Sequence, residues 1–183
     1  MEAAEKAVLD GQRTDHIYGV REGAAPIAPW PKNPCKIIFL DFDGVLNCER
    51  SVQKLGTRYR FSKPCIAALN LLLRKTEANI VITSSWRDNW TLRENAEFLE
   101  RDGVLSGRVL GKTPTLEEKP RGIEIDAWLK SAPYIIESFV IVDDRDDMEM
   151  HSDRLVRVDP RVGLTEVLSH RASEILQRTW KIK

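Results

Sequence analysis

At 183 residues, 42% of them apolar and 31% charged, the chain has the length and composition of one ordinary globular domain with a buried core. Its 28 basic and 28 acidic residues cancel, which argues against broad, non-specific coating of nucleic acid but leaves open an enzyme that touches one strand end. No apolar run approaches the roughly 18 residues of a membrane span, and the acidic start, with Glu2, Glu5 and Asp10, is unlike a secretory leader.

In chain order, Met1–Leu9 suits a short helix. Arg21–Pro34, with Pro26, Pro29, Pro31 and Pro34, suits an extended arm. Lys36–Leu40 reads as a first buried strand. Pro64 fits the first turn of a helix that carries Ile66, Leu69, Leu72 and Leu73 at helical spacing. Asn79–Ile82 is a second strand, and Thr91–Arg101 a helix closed by Gly103. A short strand is expected at Arg108–Leu110, a helix at Arg121–Lys130, and strands at Phe139–Val142 and Leu155–Val158. Thr165 caps a last helix whose apolar face is Val167, Leu168, Ala172, Ile175 and Leu176. Cys35, Cys48 and Cys65 are odd in number and match no zinc spacing, so they read as reduced thiols of a cytoplasmic protein.

Strands alternating with helices predict an α/β fold, a Rossmann-like parallel sheet with helices on both faces. Ligands in such sheets bind beyond the carboxyl ends of the strands. Each of the three principal strands runs directly into polar residues: Asp41 and Asp43, then Thr83 and Ser84, then Asp143 and Asp144.

Ile37-Ile38-Phe39-Leu40-Asp41-Phe42-Asp43-Gly44-Val45 resembles the first motif of the haloacid dehalogenase (HAD) superfamily, a hydrophobic strand ending in Asp-x-Asp-Gly-Val. The chemistry fits the resemblance. Phosphate monoesters hydrolyse very slowly, so an enzyme must supply a placed nucleophile, charge neutralisation and a proton for the leaving group. A carboxylate at Asp41 can attack phosphorus, and Asp43 can protonate the leaving oxygen and later deprotonate water. Gly44 permits the sharp turn between them and the rest of the chain.

Thr83-Ser84-Ser85 resembles the second motif, whose hydroxyl holds a phosphate oxygen. Thr83 is the first candidate, with Ser84 the alternative if the register slips by one. The third motif supplies a cation. Lys119 and Arg121 both precede a helix, and Arg121-Gly122-Ile123-Glu124-Ile125-Asp126-Ala127-Trp128-Leu129 resembles the sub-family pattern that favours Arg121. Val140-Ile141-Val142-Asp143-Asp144 resembles the fourth motif. By that resemblance Mg2+ is bound by Asp144, by the Asp41 carboxylate and by the Asp43 backbone carbonyl, with Asp143 hydrogen-bonded nearby. Asp146 and Asp147 are expected to hold outer-shell water or to be solvated acids at a helix start.

The resemblance spans Lys36 to about Leu176, and its later part looks like the small HAD domain of Swiss Army knife RNA-repair proteins. It implies an N-terminal arm over residues 1–34 and a phosphatase domain over 35–183. Neither Asn47–Lys63 nor Ser85–Lys119 leaves space for a sizeable cap domain, so the site is expected to be open. The expected function is a magnesium-dependent phosphatase acting on a phosphorylated substrate, a terminal phosphate of RNA or DNA being the favoured one. Lys54, Arg58, Arg60 and Lys63 form a basic segment read either as a substrate-guiding flap or as a solvated loop. Arg58, Arg60 and Arg87 are the candidate substrate contacts. Trp86 and Trp90, which flank Arg87, either stack a base or pack the edge of the core. The competing readings are a small-molecule phosphatase such as a nucleotidase, and a HAD scaffold kept for protein interaction. The intact acids at Asp41, Asp43 and Asp144 argue against the latter.

Overall fold

The computed structural model describes residues 34–180. The expectations for Met1–Leu9 and for the proline-rich arm before Pro34 lie outside the described residues. Five parallel strands form one sheet: β1 (Cys35–Leu40), β2 (Asn79–Ile82), β3 (Val109–Lys112), β4 (Ile136–Asp143) and β5 (Leu155–Arg157). Their order across the sheet is β3-β2-β1-β4-β5. The direction of winding therefore reverses between β1 and β4, which is where such a sheet opens a crevice for ligands.

The helices are α1 (Glu49–Leu55), α2 (Lys63–Thr76), α3 (Trp86–Asn89), α4 (Leu92–Arg101), α5 (Arg121–Ser131) and α6 (Glu166–Leu176), with a 3-10 helix at Glu149–Arg154. Alternate residues of β1 point to opposite faces. Ile38 and Leu40 join a core with Leu69, Leu73 and Ile175 from α2 and α6. Ile37 and Phe39 join another with Ile125, Trp128 and Leu129 from α5. Phe39 is fully buried and meets both Trp128 and Phe139 edge to face, so Phe39→Ala would cost about 3–5 kcal/mol.

Several expectations shift. β3 runs to Lys112, and β4 begins at Ile136, three residues earlier than its most apolar stretch suggests. The segment after the first motif contains the short helix α1, which Gly56 ends in the left-handed conformation at φ 69°. α4 starts at a capping box, Thr91 with Glu94. Val167, assigned to the apolar face of the last helix, is 76% exposed, because α6 rests on the sheet through Ala172, Ile175 and Leu176 instead. Cys35, Cys48 and Cys65 are all free and buried. No helix among the described residues is long and apolar enough to cross a membrane.

Candidate active site

Strand register brings the acids together. Leu40 pairs with Ile82 on one side and Val142 on the other, so Asp41, Thr83 and Asp143 emerge at the same edge of the sheet. Backbone bonds carry the alignment one residue further: Asp41 N donates to the Val142 carbonyl at 3.1 Å, and Thr83 N to the Leu40 carbonyl at 2.9 Å. Asp41 and Asp143 thus flank the switch point, and both are buried.

Arg121, the first residue of α5, reaches both acids. Its Nη1 donates to Asp143 Oδ2 at 2.5 Å and lies 3.2 Å from Asp41 Oδ2. The chain after β4 clasps the start of α5 to hold it there. Asp147 Oδ2 accepts from Arg121 N at 3.1 Å, and the Asp147 carbonyl accepts from Gly122 N at 3.0 Å. A Cβ on Gly122 would stand 2.2 Å from the Met148 carbonyl oxygen, so only glycine allows this approach. Asp147, expected to hold outer-shell water or to be a solvated acid, is half-buried and accepts the first backbone N–H of the cation-bearing helix. Asp146 is exposed and pairs with Arg157.

The electrostatics follow from burial. Desolvation raises the Asp41 carboxyl above the ordinary carboxylate range, with Arg121 as the leading opposing influence. Burial, then the nearby Asp41 charge, push Asp143 up to about 7 against the pull of Arg121. Burial disfavours the Arg121 charge, but Asp41 and Asp143 outweigh it and hold the guanidinium firmly protonated.

Asp41, Asp143 and Asp144 bring ligand oxygens within 4.8 Å of one another. Three carboxylates against the single guanidinium of Arg121 leave an excess of negative charge that a divalent cation would balance. Oxygen donors alone suit a hard ion such as Mg2+. Both oxygens of Asp143 are already engaged, Oδ1 by Arg145 N at 2.9 Å and Oδ2 by Arg121. Asp144 is half-buried and turns Oδ2 toward Gly44, where a Cβ would come within 2.7 Å of it. Gly44 also has φ 75°, so the turn after the acids needs glycine on both counts.

Asp43 is half-buried, and both its oxygens are held. Asn47 Nδ2 donates to Oδ1 at 2.6 Å, and Trp86 Nε1 donates to Oδ2 at 3.0 Å. Neither partner was foreseen from the sequence. Thr83 is completely buried, and its hydroxyl finds no hydrogen-bond partner among the described residues. Ser84 is equally buried, and its hydroxyl acts on Asp41, working against the rise of that carboxyl. Lys119 is exposed and forms no ion pair with the acids among the described residues, whereas Arg121 is brought to them.

Arg87 corrects an expectation. It is buried, not presented to a substrate, because the single turn of α3 directs it inward. Its guanidinium donates to the Thr83 carbonyl and pairs with Glu124 at 2.6 Å. It therefore ties the Thr83 turn to α5, the helix that carries Arg121. Trp86 packs into the core, meeting Phe42, Phe61 and Phe98, and Trp90 packs beside it. Arg58 is exposed, with its carbonyl accepting from Asn47 Nδ2 at 2.9 Å. Arg60 is more than half exposed and pairs with Asp102 at 2.8 Å.

No curated protein and no solved structure matches the chain at a significant level. One family does match, over residues 37–168, and it is described as the HAD domain in Swiss Army Knife RNA repair proteins. The matched span includes every acid of the site and all five strands except the first two residues of β1. The chain belongs to this family of HAD domains.

Proposed function

We propose that the protein is a magnesium-dependent phosphohydrolase that works through an aspartyl-phosphate on Asp41 and removes a terminal phosphate from a polynucleotide. The observation that carries the reaction type is the Asp41–Arg121–Asp143 cluster at the switch point, with Asp144 beside it and Asp43 held two residues away. Family membership supports a HAD-type phosphohydrolase.

An Asp41 oxygen attacks phosphorus, and the bond from phosphorus to the leaving oxygen breaks as Asp43 delivers a proton to that oxygen. Asp43 then takes a proton from water, whose oxygen attacks the same phosphorus. The Asp41–phosphorus bond breaks, releasing inorganic phosphate and regenerating both carboxyl groups. Arg121 steers Asp41 and offsets the charge gathered at the sheet edge. Thr83 and Ser84 offer buried hydroxyls to the non-bridging oxygens. Bound Mg2+, held by the carboxylates of Asp41 and Asp144 and the Asp43 carbonyl, would neutralise charge on the transferring phosphoryl group.

The substrate reading rests on the approach to the site. The described residues contain no cap domain, and the flap that joins α1 to α2 exposes Arg58 and Tyr59 while Asn47 ties it to Asp43. The RNA-repair context of the family points the same way. The test compares oligonucleotides bearing 3′- or 5′-phosphates with mononucleotides and small phosphate esters, with Mg2+ or with chelator, on wild type and Asp41→Asn. Phosphate release from oligonucleotides that needs both Mg2+ and Asp41 is expected. Turnover by pure Asp41→Asn sinks the mechanism, and preference for mononucleotides replaces the substrate with a small molecule.

A further inference from the structure

We infer that Trp86 and Asn47 are positioning residues that hold the Asp43 carboxylate in one orientation, so that its proton is delivered along a fixed line. The inference rests on the phosphohydrolase reading above and extends it to two residues outside the acid and phosphate-binding set. Asp43, like Asp144, lies outside the Arg121 clamp, which holds Asp41 and Asp143. Its Oδ2 accepts from the Trp86 indole at 3.0 Å and its Oδ1 from the Asn47 amide at 2.6 Å, so its rotation about the last side-chain bond is blocked at both oxygens.

The two donors are themselves fixed. Trp86 is 4% exposed, and its ring meets those of Phe42, Phe61, Phe98, Trp90 and Tyr59. An indole held by so many rings cannot swing to follow a moving carboxylate, which makes it a rigid pointer rather than a loose partner. Asn47 is also buried, and it divides its amide hydrogens between Asp43 and the Arg58 carbonyl. One amide therefore links the acid to the flap. Neither donor takes or gives the transferred proton. Their effect is on geometry, and geometry at a reacting proton is worth one or more powers of ten in rate.

Because proton delivery matters most when the leaving group is a poor one, the role has a signature that a structural residue lacks. Trp86→Phe keeps an aromatic ring and removes the N–H. On an alkyl phosphate, whose leaving oxygen needs a proton, kcat is expected to fall on the order of ten- to a hundredfold with KM little changed. On p-nitrophenyl phosphate, whose leaving oxygen departs as the anion, the loss is expected to stay within about threefold. Asn47→Ala is expected to show the same dependence on leaving group, and it keeps the test decisive if the Trp86 variant unfolds. A readout independent of activity is the Trp86 indole N–H resonance in 15N-labelled protein, assigned by its disappearance in Trp86→Phe. Asp43→Ala is expected to move that resonance upfield and to speed its exchange with solvent. Equal losses on both phosphate esters, or an indole resonance indifferent to Asp43→Ala, overturn the positioning role. A wild type inert on every phosphate ester overturns the phosphohydrolase reading instead, with the indole resonance still reporting whether the contact to Asp43 exists.

Discussion

Arg121 sits nearer to Asp143, at 2.5 Å, than to Asp41, at 3.2 Å. The difference divides the labour of the two acids. Asp143, fully buried and held through both oxygens, anchors the guanidinium, while the Asp41 oxygen, the nucleophile of the proposed mechanism, is held less tightly.

Removing the cation should therefore damage the fold as well as the chemistry. Arg121→Met would leave two buried carboxylates facing each other, and losing one partner of a buried ion pair typically costs about 3–5 kcal/mol. We expect phosphatase activity to vanish and the denaturant midpoint to fall sharply. Arg121→Lys should keep most of the stability yet lose on the order of a hundredfold in kcat/KM, because the lysine nitrogen ends one bond short of the Nη1 that contacts both acids. Urea unfolding beside steady-state kinetics checks both. A fully active lysine variant would contradict the bridging role.

Asp143 and Asp144 are adjacent but differently employed, and the difference is measurable without turnover. Mg2+ bound only by the folded protein raises its melting temperature in proportion to the logarithm of concentration over Kd. We expect that rise in wild type and in Asp143→Asn, the latter from a lower starting point because Arg121 loses its anchor. Asp144→Asn should start near the wild-type melting temperature and fail to rise. Gly44→Ala should also fail to rise but from a lower starting point, since its methyl group would stand 2.7 Å from Asp144 Oδ2 at a backbone φ of 75°. Loss of the rise in Asp143→Asn alone would exchange the two roles.

The sheet and the acids at its edge were legible because buried parallel strands are written as short apolar runs, and Leu40, Ile82 and Val142 each end one. What held the site together was not. The choice between Lys119 and Arg121 depends on Asp147, 26 residues further on, whose carboxylate and carbonyl fix where α5 begins. Trp86 lies 43 positions from Asp43 and Asn47 only four, yet neither contact follows from spacing, since both depend on how the turn at Gly44 closes. Arg87 reads from the sequence as a candidate substrate contact because basic residues are usually solvated. Only the burial of its partner Glu124, 37 residues away, reveals it as a strut.

His151 gives the fold a pH dependence apart from the acids. It is buried against Phe139 and held below the ordinary histidine range, first by desolvation, with Asp126 and Asp153 acting to raise it and Arg154 to lower it further. Its Nε2 lies 3.6 Å from Asp126 Oδ1, too far for a full hydrogen bond to offset burial. A folded value below the unfolded one means that the unfolded chain binds the proton more readily. This contribution is present above an unfolded value of about 6.5 and is lost below it, as pH falls through the lowered folded value. Wild type should therefore lose stability as pH falls below about 6.5, and His151→Gln should show a flatter profile there. Identical urea midpoints against pH for the two would remove His151 as the cause.

The segment joining α1 to α2 holds two arginines that the sequence treated alike and the structure separates. Arg60 is engaged with Asp102, whose other oxygen holds the Phe61 amide at 2.7 Å, so its charge is partly spent on fixing the flap. Arg58 is exposed, and its backbone carbonyl accepts from the same Asn47 amide that donates to Asp43. Arg58→Ala should raise KM for a phosphorylated oligonucleotide several-fold and leave p-nitrophenyl phosphate unaffected, because a small ester does not extend to the flap. The salt dependence for the oligonucleotide should also become shallower, by about 0.7 in log–log slope for one lost phosphate contact on a single strand. Arg60→Ala should act more weakly on KM and should lower the melting temperature, since Asp102 loses a partner. Equal effects of Arg58→Ala on both substrates would place that residue in the fold instead, and an unchanged salt slope would move the polynucleotide to another face of the protein.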